Sequence, residues 1–179
     1  MTQSGYHYLK TYMLATVVYD LTVEFYNRFL SEREFLRLRE QGIHAARSGR
    51  QNIAEGYEEK SLQSYIKLLG VADASLEELL LDFQDYLRQR KLSLWNKDDE
   101  RVRAFREIRV FWIDENTLNT PILPENPVEA ANLIITLISQ TTYLLSRQMD
   151  SLEVKFIREG GYREKMFKKR LDHRSGSRP

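Results

Sequence analysis

From residue 62 to residue 87 the apolar side chains fall at Leu62, Tyr65, Ile66, Leu69, Ala72, Leu76, Leu79, Leu80, Phe83 and Leu87. Steps of three and four, kept up over that whole length, put them on one side of a helix; a strand would need alternation. The spacing predicts a helix that starts at Ser61 and ends near Arg90. Ser61 stands just ahead of the first apolar position, where its hydroxyl is placed to accept from first-turn N–H groups. Gly56, five residues earlier, is the expected left-handed stop of a preceding helix. That leaves a turn over residues 57–60, and so short a connection makes the two helices antiparallel neighbours. A hairpin of this length needs other helices to cover its apolar face.

The rest of the chain supplies them. Leu14, Val18, Leu21, Phe25 and Phe29 recur at helical spacing in a first helix over residues 8–30. Its aromatic-rich face is broad enough to serve either a thick core or a contact between subunits. Ser31 and Glu34 have capping-box spacing and open a second helix over about residues 32–55. Its inward positions are Phe35, Leu38, Gly42, Ala46, Gly49, Ile53 and Tyr57. Two mid-helix glycines cost about 1 kcal/mol each in propensity, which points to close helix approach. Asp98 or Asp99 is set to cap a shorter helix over about residues 100–112. Residues 116–126 hold two prolines and three asparagines and read as irregular. Asn126 and Pro127 then start the last long helix, to about Arg158, with Ile134, Ile138, Thr141, Leu145, Gln148, Leu152 and Phe156 facing inward. Gly160–Gly161 ends it, residues 162–171 read as a short basic helix, and residues 172–179 as a frayed end.

Four long helices of roughly 20 to 30 residues, each on the order of 30 to 45 Å, predict an all-α, up-down-up-down four-helix bundle. It has a short extra helix between the third and fourth long helices and a basic C-terminal segment. The expected division is a bundle over residues 1–159 and an extension over 160–179. Only 8 Gly and 4 Pro in 179 residues agree with a chain poor in turns. The apolar run of residues 130–145 is broken by Asn132, Thr136, Ser139, Gln140, Thr141 and Thr142, too polar for a membrane span. With no basic-then-apolar leader at the start, a cytoplasmic protein without membrane partners is expected.

Chemistry is hard to place on these helices. Without Cys there are no disulfides or thiolate metal sites. A di-iron bundle needs Glu-x-x-His pairs on two helices; Glu40 precedes His44 by four, and neither His7 nor His173 completes a pair. No glycine-rich phosphate loop or nucleophile elbow occurs. The expectation is a protein that is not an enzyme, with no catalytic residue, no metal and no cofactor.

Charge is more telling. Residues 1–154 hold 18 Lys+Arg against 23 Asp+Glu, a balance of −5, while residues 155–179 hold 9 against 3, a balance of +6. Lys155, Arg158, Arg163, Lys165, Lys168, Lys169 and Arg170 are candidate phosphate contacts on RNA or DNA; a solubilising tail is the other reading. Within RSGRQNIAEG, Arg47 and Arg50 lie three apart and can share a face that meets phosphates. Asn52 and Glu55, also three apart, are expected to pair and bond backbone groups near the helix turn.

AARSGRQNIAEG followed by SYIKLLGVADASLEELLLDFQDYLR resembles the four-helix-bundle family of bacterial ribosomal-RNA intervening-sequence proteins, which includes the accessory variability proteins of diversity-generating retroelements. The shared positions are Arg47, Ser48, Asn52, Ile53, Glu55, Gly56, Ser75, Leu76, Glu78 and Leu79. YDLTVEFYNRF, NLIITLISQTTYLLSRQMDSLE and REGGYREKM are similar to the four helix bundle suffix domain subgroup, so the resemblance runs from about residue 5 to residue 171. Gln41-Gly42 departs from it, where the subgroup carries a longer polar-to-Met run. The resemblance implies a non-enzymatic bundle that forms a homo-oligomeric ring, usually a pentamer, and binds structured RNA or DNA. A scaffold for a protein partner such as a reverse transcriptase is the alternative.

Overall fold

The structure, a computed structural model, describes residues 4–176. Its regular elements are all helices, and no strand occurs among the described residues. A 3-10 turn over Gly5–Tyr8 leads into α1 (Lys10–Phe29), and a second over Arg33–Phe35 leads into α2 (Leu36–Glu58). Then come α3 (Leu62–Gln89), the short α4 (Glu100–Arg106), α5 (Pro127–Glu159) and α6 (Tyr162–Gly176). The four long helices enclose one core: α1 packs on α2 and α5, and α3 on the same two, while α4 sits against α5.

Each helix buries the stripe its spacing marks out. Phe25 of α1 and Phe83 of α3 meet edge to face at 5.0 Å in the centre, both essentially inaccessible. A buried ring of this kind contributes about 1.5–3 kcal/mol by removal from water, and the edge contact adds about 0.5–1.5 kcal/mol. In α5 every residue from 130 to 138 is buried, because neighbours cover it on several sides. The hydroxyls of Thr136 and Thr141 donate to Asn132 O and Leu137 O, both at 2.7 Å, so the polar interruptions are satisfied within the helix. By length and composition α5 would pass for a membrane span after all, but 56% of its most apolar window is buried inside the protein. That is how a core helix meets the same criterion.

The close approach of α2 and α3 rests on small side chains. Gly42, Ala45, Ala46, Gly49, Ile53 and Gly56 form the buried stripe of α2. A Cβ on Gly49 would lie 2.8 Å from Leu76 Cγ, and one on Gly56 would lie 2.8 Å from Tyr65 Cδ2. Gly56 is therefore not the expected left-handed stop. It lies inside α2, which continues to Glu58, and Gly160 is the glycine with positive φ. Packing against Tyr65, not chain reversal, is why a side chain is absent there. Tyr57, expected inward, is 40% exposed and lies against Gly5 and the edge of Tyr65.

Other boundaries moved for equally local reasons. Ser61 is the N-cap of α3 by backbone conformation, and its carbonyl accepts from Tyr65 N at 3.0 Å, but its hydroxyl takes no capping bond. The extended backbone fixes that start, not the side chain. The Ser31–Glu34 capping box does not form: α2 begins at Leu36, after Phe35 has docked on the core beneath Arg90. Asp99 caps α4 as expected, accepting from Arg101 N at 2.9 Å, yet the helix ends at Arg106 rather than near residue 112. Beyond it, Asn119 holds the chain extended, accepting from Phe111 N at 2.7 Å and donating to Arg109 O at 2.8 Å, and Trp112 pairs with Leu118. Asn126 accepts from Val128 N and Glu129 N ahead of Pro127, as its position suggests. Helix α6 runs on to Gly176 instead of fraying at residue 172; residues 1–3 and 177–179 lie outside the described residues.

Two glycines separate packing from propensity. Gly49→Ala gains about 1 kcal/mol of helix propensity but must displace a fully buried leucine, so a net loss of about 1–2 kcal/mol is expected in urea unfolding. Gly70 has nothing within 4 Å of where its Cβ would stand, and Gly70→Ala should stabilise by about 0.5–1 kcal/mol. Equal effects at the two positions would mean that α2 and α3 are not in close contact.

Candidate nucleic-acid interface

The motif RSGRQN builds a polar seam between α2 and α3. Asn52 donates to Ser48 O at 2.9 Å and to Ser48 Oγ at 3.2 Å. Ser48 Oγ lies 3.0 Å from Ser75 Oγ across the interface, and Ser75 Oγ donates to Val71 O at 2.9 Å. A hydroxyl pair between two helices is satisfied only in one register, so the seam sets how α2 and α3 align. Glu55 takes no part. It is exposed on α2, one turn from the seam, so the expected Asn52–Glu55 pair is replaced by an Asn52–Ser48–Ser75 chain.

The two arginines of the motif do not act alike. Arg47 is exposed, whereas Arg50 is half-buried, its guanidinium stacked 4.4 Å from the centre of the Tyr19 ring on α1. A desolvated cation over a ring contributes on the order of 0.5–2 kcal/mol, so Arg50 is part of the α1–α2 packing. Ser75, level with Ser48, is nine residues from Ile66, which shares a groove with Phe156 and Ile157 near the end of α5. By helix rise that is about 13 Å along α3. Arg47 and Arg50 therefore sit at another level of the structure from the end of α5, apart from the C-terminal cations.

The larger group is at the end of the chain. Lys155 and Arg158 are exposed on the last turns of α5. Gly160, with φ +72° and ψ 172°, turns the backbone in a conformation open to glycine. Glu164 accepts from Gly161 N at 3.0 Å and so covers an unpaired donor at the start of α6, while Lys165 reaches back 2.9 Å to Glu159. That ion pair holds the Glu159 carboxyl below its ordinary range. Every residue from 162 to 174 is exposed, and among the described residues α6 makes no substantial packing contact with another helix. Arg163, Lys168, Lys169 and Arg170 thus face water on a helix held to the rest by two glycines.

A second cationic surface escaped the sequence reading. Arg106 separates two open cavities of about 590 and 470 Å³ on the α5 side. Tyr143 and Phe111 stand 65% and 52% exposed beside them, and Arg101, paired with Asp99 at 2.8 Å, lies 3.5 Å over Trp95. The signal was present as Arg103, Arg106 and Arg109 at steps of three, but α4 ends at Arg106, so their common side depends on the loop that follows. Asn132 holds that region together: it accepts from Trp95 N at 2.8 Å and donates to Ser93 O at 3.0 Å. Among the described residues no group of three His, Asp or Glu side chains is placed to hold a metal ion.

No family model, curated protein or solved structure matches the chain.

Asp73, two residues before Ser75 on α3, has a buried Oδ1 without a hydrogen-bond partner among the described residues. Burial, and then the charge of Glu77, push its carboxyl above the usual range. A raised carboxyl favours the neutral form in the folded state, so its cost is full above the folded value and disappears below the unfolded value near about 4. Asp73→Asn should therefore raise the urea midpoint at neutral pH, with the gain shrinking as pH falls toward 4. A variant less stable than the parent at neutral pH would mean that the carboxylate makes a bond in solution.

Proposed function

We propose that this chain is a non-enzymatic, up-down-up-down four-helix bundle of the cytoplasm that holds structured RNA or duplex DNA through the cations at its C-terminal end. The observation that carries the reading is α6: a run of lysines and arginines on an exposed helix, set apart from an otherwise acidic protein. Inside a fold, cations like these would be expected to find carboxylates. Lys168 and Lys169 have no ion pair among the described residues, which leaves them available to phosphate oxygens. Such contacts release counterions and are read through backbone charge, not base identity. Lys155 and Arg158 extend the surface onto α5. The exposed rings and arginines around Arg106 offer stacking to an unpaired base. The resemblance of the AARSGRQNIAEG block to the intervening-sequence family points the same way.

The alternative, a scaffold for a protein partner, draws on the apolar side chains of the same helix. The two readings part on salt. Lys168→Ala/Lys169→Ala should weaken binding of an RNA hairpin or a DNA duplex evenly across sequences and lower the salt slope by about one per lysine. Fluorescence anisotropy over a salt series reads both. If the parent protein retains neither probe at low salt, the nucleic-acid reading falls and the scaffold stands.

A further inference from the structure

Helix α6 carries more than charge. Tyr162, Met166, Phe167 and Leu171 are 45%, 47%, 62% and 48% exposed. At about 100° per residue they span half of the helix circumference, with Arg163, Arg170 and Arg174 in the middle of the arc. Tyr162, Met166 and Phe167 line an open groove together with Arg163, Lys169 and Arg170. A fifteen-residue helix with so polar a composition is marginal alone in water. Some surface must complete it.

The pattern of the arc narrows the choice. A lipid surface suits a helix whose centre is apolar and whose cations lie on the polar face. Here the guanidinium groups stand among the apolar side chains, so the matching surface must set carboxylates among its own. This chain has one. On the outward side of α3, Val71 and Leu81 are 41% and 61% exposed, with Ala74 between them. Around them are Glu77, Glu78, Asp82 and Asp85, and no Lys or Arg occurs between Lys67 and Arg88. Asp85 has its own arginine at 2.9 Å, but Glu77 and Glu78 take part in no ion pair among the described residues. The crowding is felt locally: burial, and next the charge of Glu78, raise the Asp82 carboxyl.

We propose that α6 of one copy of this chain lies along the outward face of α3 of a second copy. Its apolar side chains cover Val71, Ala74 and Leu81, and Arg163 and Arg170 meet Glu77 and Glu78. The two surfaces differ, so the contact is either exchanged within a pair or repeated head to tail. Lys168 lies on the other side of α6 and stays open to solvent, while Lys165 keeps its pair with Glu159, so this goes beyond the nucleic-acid reading and does not rest on it.

The test is a charge exchange followed by light scattering in low salt. The parent chain should show a mass that is a multiple of 21.2 kDa, falling as salt is added. Arg163→Glu/Arg170→Glu and Glu77→Lys/Glu78→Lys, each checked for helicity by circular dichroism, should both fall to the monomer mass. An equimolar mixture of the two should associate again, to a mass that is an even multiple of the monomer, because the reversed helix of one then faces the reversed surface of the other. A monomeric parent at micromolar concentration overturns the proposal, as does a folded reversal variant that keeps the parental mass. Loss of nucleic-acid binding in the arginine variant with its mass unchanged would assign the face to phosphates instead.

Discussion

How near α2 can come to α3 is decided by side chains that α2 does not have. Gly49 accepts Leu76 and Gly56 accepts Tyr65, each at a distance that leaves no room for a methyl group. With the two helices this close, Ser48 and Ser75 come within 3.0 Å and fix the register. That register places Leu69, Ala72, Leu76 and Leu79 toward the interior, where α1 and α5 close over them. The cost of glycine in a helix is thus offset by burial along the length of the seam.

Much of this was legible in the chain because it repeats. The apolar steps of α3 and α5 persist for many turns, and no other regular structure accommodates them. What periodicity does not carry is the outcome of single contacts. Phe35 starts α2 by docking on the core, where the sequence showed a capping box at Ser31 and Glu34. Asn119 ends the helical run after Arg106 from a position thirteen residues away in the chain, and a local reading has no access to it. Gly56 looked like a stop because glycine serves both chain reversal and close packing, and only its neighbour Tyr65 distinguishes them.

The candidate site divides along the same line. Net charge by segment marked residues 155–179 as basic, since charge needs no contact to be counted, and the structure puts most of those cations on the exposed α6. Arg47 and Arg50 share a motif and a spacing but part company in space: Tyr19, on another helix, takes the Arg50 guanidinium. The cationic and aromatic surface around Arg106 depends on a loop and on α5 together. The free face of α6 matters as much as its charge, because the guanidinium groups within it are what select an acidic, partly apolar counterpart.

Native-state hydrogen exchange of the backbone amides tests most directly whether the α2–α3 seam holds the rest. Amides of residues 45–53 in α2 and 69–83 in α3 should exchange only through global unfolding, and those of α4 and of α6 in dilute monomer well before them. Exchange of the α2 amides ahead of those at the centres of α1 and α5 would contradict it, placing the stable nucleus in the α1–α5 pair.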